Sequence, residues 1–141
     1  MKYEPSCSYC HPTPQRDEVM TEIAKLGVST LFLFREQTHP GRCLVAYHDH
    51  TKEVFDLSPE DRAAFFSDVA RAAQAVDAAV KPDKLNYGAY ADKNPHLHFH
   101  IVPKFKDGPA WGSTFEMMPT EKKFLSPQEY TALIDKIKAG L

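Results

Sequence analysis

From His96 to Ile101 polar and apolar side chains alternate without a break: His96, His98 and His100 share one parity, and Leu97, Phe99 and Ile101 share the other. A period of two belongs to an extended chain, so the spacing predicts a strand over about 96–105 with a row of imidazoles on one face and core residues on the opposite face. Residues 28–35 and 42–47 are also rich in β-formers. They flank Thr38-His39-Pro40-Gly41, which reads as a hairpin turn with His39 solvated, and residues 85–89 supply a further strand.

Elsewhere the period is helical. Val19, Ile23 and Leu26, followed by Gly27, predict a short helix over 15–26. Ser58-Pro59-Glu60-Asp61 combines an N-cap, a proline at the first helical position and an acid three residues on, which predicts a helix running to about Val80. Phe65, Val69, Ala72 and Val76 form its apolar face, and Lys81-Pro82 is its stop. Ser126-Pro127-Gln128-Glu129 opens a C-terminal helix over about 127–139 that uses Leu133 and Ile137. The sum is an α+β fold, an antiparallel sheet of about five strands with helices packed on one side. Residues 106–123 are long and polar, and form an ordered loop only if something holds them.

Composition narrows the class. At 141 residues and 43% hydrophobic content the chain suits one domain spanning 1–141 with a proper core. A formal net charge of −2 argues against long nucleic acids as partners, so a small anionic ligand must be held by local donors. No apolar run is long enough to cross a bilayer, and no apolar stretch follows Met1-Lys2-Tyr3, so the expected location is the cytoplasm, without membrane contact. Three cysteines are an odd count, and a reducing compartment favours metal over disulfide.

Two constellations carry chemistry. A strand rises about 3.3 Å per residue, so neighbouring imidazoles in the row are roughly 6.6 Å apart and the outer two roughly 13 Å apart. All three cannot grip one ion. The row suits an elongated substrate, or a division of labour in which one end is anchored and the middle imidazole attacks as a neutral nucleophile. Cys7-Ser8-Tyr9-Cys10 offers two of the four ligands that a structural zinc needs, and lacks the βαβ context of a redox site. His50 is a candidate third ligand, and His48, on the same strand parity, is an alternative to it.

His96-Leu97-His98-Phe99-His100-Ile101-Val102 resembles the motif of the HIT (histidine triad) family, in which three histidines alternate with apolar residues. The resemblance extends to Leu44-Val45-Ala46 before His50, to Val54-Phe55-Asp56-Leu57-Ser58-Pro59-Glu60, and to Asn86-Tyr87-Gly88. Trp111-Gly112 and Phe115-Glu116-Met117 are similar to a bacterial-type branch, so the likeness runs from about Cys7 to Pro119. It implies a nucleotide hydrolase or nucleotidyl transferase that cleaves at the α-phosphate of a nucleoside phosphoramidate or dinucleoside polyphosphate. His98 would attack phosphorus, and His100 would donate to the phosphate oxygens. Asn86 would be a further donor, Lys93 an attracting charge, Glu36 a partner for ribose hydroxyls, and Trp111 a cover for the nucleotide of its own or a partner subunit. The resemblance also implies a homodimer. By likeness to the galactose-1-phosphate uridylyltransferase branch, it implies a structural zinc on Cys7, Cys10, His50 and His96.

Ala91-Asp92-Lys93-Asn94 departs from the family pattern, where many members carry a glycine and an uncharged amide or hydroxyl. An ionised Asp92 beside a phosphate would repel it and Lys93 would attract it, so Asp92 is expected to turn to solvent. Two other classes fit the residues less closely. A metal-centred phosphoesterase would need an open coordination position, and a non-catalytic nucleotide-binding module would keep the fold without turnover.

Overall fold

The protein is described by a computed structural model covering residues 2–141. Three α-helices, α1 (Pro14–Val19), α2 (Pro59–Val80) and α3 (Pro127–Ala139), accompany five strands, β1 (Met20–Lys25), β2 (Ser29–Phe34), β3 (Cys43–Tyr47), β4 (Lys84–Gly88) and β5 (His98–Lys104). The strands form one antiparallel sheet in the order β1-β2-β3-β5-β4.

The two long helices start where their first turns dictate. Ser58 Oγ accepts from the Asp61 amide at 3.0 Å with Pro59 at the first helical position. Ser126 and Glu129 form a reciprocal capping box, with each side chain accepting from the other's amide. Helix α2 ends at Lys81, whose left-handed φ of 48° turns the chain before Pro82. Its apolar stripe, Phe65, Val69, Ala72 and Val76, packs on the sheet face formed by Leu31, Leu33, Val45 and Ile101, and Ile137 of α3 joins the same core. Phe65 is fully buried and meets Tyr47 and Phe99 edge-on, with ring centroids 5.9 and 5.8 Å away. A smaller cluster of Met20, Phe32, Phe34, Leu44 and Ala46 occupies the opposite face.

The helix expected over 15–26 is a correction. Only Pro14–Val19 is helical, capped by Thr13, and Met20–Lys25 is an edge strand paired with β2. A β-bulge between Glu22 and Ala24 places Ile23 and Ala24 together on the helix-bearing face while Met20 faces the other way. This insertion gives a strand a near-helical spacing of apolar residues. His39 is a second correction. It is buried, not solvated, because the 106–123 segment folds back and sets Phe115 edge-on to it at 6.2 Å.

That segment is held by three buried side chains. Lys104 Nζ donates to the carbonyls of Ala110 and Ser113, and Arg42 Nη1 donates to the Met117 carbonyl. Glu36 accepts from the Lys123 amide at 3.1 Å.

The β2–β3 turn depends on Gly41, whose φ is +86° and whose amide donates to Gln37 Oε1 at 2.8 Å. A Cβ there would lie 2.9 Å from Val80 Cγ1. Gly41→Ala is therefore expected to cost about 1–3 kcal/mol of stability through backbone strain and contact with a stiff side chain. Urea unfolding should show a lower midpoint with an unchanged slope, and an unchanged midpoint would refute the strain.

Candidate active site

Strand β5 is hydrogen-bonded on one side to β3, with His98 opposite Ala46 and His100 opposite Leu44, and on the other to β4, with Gly88 opposite His100. Alternation then sends Ile101 into the helix-side core and leaves His98 and His100 on the face of Phe34 and Leu44. His96 precedes the strand, and all three imidazoles are buried.

The partners of each ring assign its proton. His98 Nδ1 lies 2.7 Å from the His96 carbonyl oxygen. A carbonyl only accepts, so Nδ1 carries the hydrogen and Nε2 keeps its lone pair. His100 has the reverse arrangement. Its Nδ1 lies 3.2 Å from Nη2 of Arg42, which only donates, so the neutral ring carries its proton on Nε2. Burial pulls the His98 pKa below the ordinary histidine value. Burial, with the Arg42 charge and His98 behind it, pushes that of His100 down to about 3. Two neutral imidazoles of opposite tautomer therefore stand side by side, ring centroids 5.2 Å apart.

A cavity of about 630 Å³ opens against them, lined by Tyr9, Met20, Phe34, Leu44 and Met117 and by the exposed Lys93. Tyr9 stacks across two triad rings, with centroids 4.8 Å from His98 and 5.1 Å from His96.

Beside the triad, Cys7, Cys10, His50 and His96 converge, their ligand atoms all within 4.8 Å of one another. Cys7 Sγ is 3.4 Å and Cys10 Sγ 3.8 Å from His96 Nδ1, and Cys10 Sγ is 3.5 Å from His50 Nδ1. A tetrahedral ion with bonds of about 2.3 Å to sulfur and 2.0–2.1 Å to nitrogen spaces those atoms about 3.6 Å apart, so the donor set fits one. His96 Nε2–H donates to the Tyr47 carbonyl at 2.7 Å, which aims the Nδ1 lone pair at the cysteines. Burial pushes the His96 pKa down to about 4, keeping that lone pair free of a proton. His48 stands apart, stacked on Tyr47 at 4.6 Å, so His50 is the histidine of this segment that joins the cluster.

Of the other residues singled out from sequence, Lys93 lines the triad cavity, and Asp92 lines it too while being exposed. Asn86 and Trp111 line a separate recess with Lys84 and Lys104 instead. The Glu36 carboxylate is occupied by the amide and hydroxyl of Thr38 and by the Lys123 amide, away from the imidazoles. The sequence pattern placed Arg42 at the start of a β-forming stretch and pointed to no function for it or for Tyr9. Arg42 shares parity with Leu44, which was the available hint, but its meeting with His100 required knowing that β3 pairs with β5.

A model of the HIT domain matches residues 18–107. The chain is 28% identical to the adenosine 5'-monophosphoramidase hnt1 of Schizosaccharomyces pombe, over 96% of this chain and 98% of that one. A histidine triad protein from Sinorhizobium meliloti superposes with a TM-score of 0.83 at 20% identity, over 93% of this chain and 96% of the other. A Zn-bound histidine triad family protein from Mycobacterium smegmatis does so with a TM-score of 0.67 at 18% identity, over 95% and 94%. These structures share the fold.

The His100 environment has a consequence for acid stability. The folded ring titrates at about 3 and the unfolded one near 6.5, so between those values the unfolded chain binds a proton that the folded chain does not. Stability contributed by the neutral ring is complete above about pH 6.5 and is lost as pH falls toward 3. In denaturant titrations at a series of pH values the native protein should lose more stability below pH 6.5 than His100→Asn does, and equal losses would refute the buried neutral ring.

Proposed function

The chain belongs to the HIT domain family, and on that footing we propose that it is a nucleotidyl hydrolase or transferase. In this reading it cleaves at the α-phosphate of a nucleoside phosphoramidate or a dinucleoside polyphosphate through a covalent nucleotidyl-histidine. The observation that carries the reading is the 2.7 Å contact of His98 Nδ1 with the His96 carbonyl. It holds the attacking ring in the one tautomer whose Nε2 lone pair is available, and burial keeps that ring neutral.

In the first step the His98 Nε2–phosphorus bond forms and the bond to the leaving group breaks. Water then displaces His98 and releases the nucleotide. His100 Nε2–H donates to a non-bridging phosphate oxygen as charge redistributes, and Lys93 adds attraction from the cavity lining. The apolar lining of Met20, Phe34 and Leu44 suits a nucleoside. The name of the fission-yeast relative, a monophosphoramidase, supports a small nucleotide substrate.

Cys7, Cys10, His50 and His96 hold a structural zinc in this reading, supported by the donor geometry and by the Zn-bound relative. Bound there, zinc is a cross-link that ties the N-terminal knuckle to the start of β5, and four protein ligands leave it no open position. His96 thus anchors while His98 and His100 act. Thiols kept reduced for such a site suit a reducing compartment, which supports a cytoplasmic location in this reading. We take it to act as a homodimer, in which Trp111, outside the triad cavity of its own chain, would cover the nucleotide of a partner subunit.

Two measurements test this. Intact-mass spectrometry after mixing with adenosine 5'-phosphoramidate or diadenosine tetraphosphate, quenched in mildly alkaline denaturant, should show a nucleotidyl adduct on the native chain and none on His98→Ala. Turnover by His98→Ala should fall by roughly 10³-fold or more. Nucleotide binding with no turnover in the native protein would favour a non-catalytic module. Elemental analysis should find one zinc per chain and little in Cys10→Ser, whose melting temperature should drop by about 10 °C. Native protein free of zinc would overturn the metal assignment.

A further inference from the structure

Among the described residues, no carboxylate lies against the cation closest to the reacting groups. Arg42 is 1% exposed, its Nη1 donates to the Met117 carbonyl at 2.8 Å, and its Nη2 contacts Met117 Sδ at 2.9 Å and His100 Nδ1 at 3.2 Å. The guanidinium lies over the rings of Phe34, at 4.0 Å, and Phe115, at 4.9 Å, while its Nε has no hydrogen-bond partner among the described residues. Glu36 acts on it only through space, because the Glu36 carboxylate is bound by Thr38 and the Lys123 amide. A charge buried at such cost, with a triad nitrogen as one of its few acceptors, calls for a reason.

Building on the nucleotidyl-transfer reading above, we propose that Arg42 is a positioning residue that fixes His100 as its Nε2–H tautomer. His100 is thereby a hydrogen-bond donor that cannot act as a proton donor, and the site selects leaving groups that depart as stable oxyanions.

The chemistry follows from the proton count. Neutral His100 has one N–H, and surrendering it would leave an imidazolate. Adding a second proton at Nδ1 would set a cation 3.2 Å from the guanidinium. His100 therefore keeps its hydrogen bond to the phosphate throughout the step and transfers nothing. As the His98 Nε2–phosphorus bond forms, the bond from phosphorus to the leaving oxygen breaks, and the electron pair goes with that oxygen. A polyphosphate or carboxylate carries the pair without needing a proton. An amine must be protonated to leave, and His100 has no proton to give. Arg16 and Lys93 on the same cavity outnumber Asp92, a charge balance that favours an anionic leaving group. Phosphoanhydrides are thus the preferred substrate class over phosphoramidates.

The test uses zinc-loaded full-length protein, native and as Arg42→Met and Arg42→Lys, with diadenosine tetraphosphate and adenosine 5'-phosphoramidate as probes. Nitrogen-15 NMR of the imidazoles should show His100 protonated at Nε2 and bare at Nδ1 in the native protein, with Nδ1–H appearing in Arg42→Met and the native pattern restored in Arg42→Lys. The native kcat/KM should favour the anhydride by at least about tenfold. In Arg42→Met, kcat on the anhydride should fall roughly 10²-fold with KM little changed, and the preference should shrink. Native His100 carrying its proton on Nδ1, or equal or faster cleavage of the phosphoramidate, would overturn the proposal. If neither probe yields adduct or product, the nucleotidyl-transfer reading fails, and with it the leaving-group preference, while the NMR pattern still decides the assignment of Arg42.

Discussion

The pairing of β5 on both edges is the constraint from which the site follows. A strand bonded to β3 on one side and β4 on the other cannot slip or rotate, and a slip of one residue would exchange the buried Ile101 for an imidazole. Because the helix-side face must receive Ile101 beneath α2, His98 and His100 have no alternative to the opposite face. The hydrophobic core thus orients the chemistry without touching it.

On that face, desolvation and hydrogen bonding act on different properties of the same rings. Burial alone makes an imidazole neutral but leaves its tautomer open. The His96 carbonyl and the Arg42 guanidinium settle the tautomers in opposite senses, one accepting a hydrogen from Nδ1 and the other giving one to it. Neither effect substitutes for the other: a neutral His98 with its proton on the wrong nitrogen would present no lone pair to the cavity.

The surrounding segments are held by polar anchors more than by apolar packing. Residues 106–123 contain few large apolar groups, and their order depends on Lys104, Arg42 and Glu36 binding backbone carbonyls and an amide. The N-terminal knuckle is likewise anchored through Cys7 and Cys10 to His96, which delivers Tyr9 onto His98. Both segments border the cavity, so the anchors that order the loops also shape the site.

Features governed by short-range chemistry were legible in the residues themselves. The caps at Ser58 and Ser126, the period of two through the triad, the turn around Gly41 and the pairing of cysteines at a ligand spacing all depend on neighbours within a few positions. The 15–26 segment misled because a β-bulge imitates helical spacing, and only the free edge of β2 decides that Met20–Lys25 is a strand. His39, Arg42, Glu36 and Tyr9 acquire their surroundings from partners far along the chain, Phe115, Met117, Lys123 and His98 respectively, with the Lys123 amide 87 positions from Glu36. Composition and local pattern therefore determined the donor atoms and every long element except the edge strand Met20–Lys25. Which imidazole faces a carbonyl and which a guanidinium was decided by the order of strands in the sheet, because a proton's place on a ring depends on whatever group the fold brings against it.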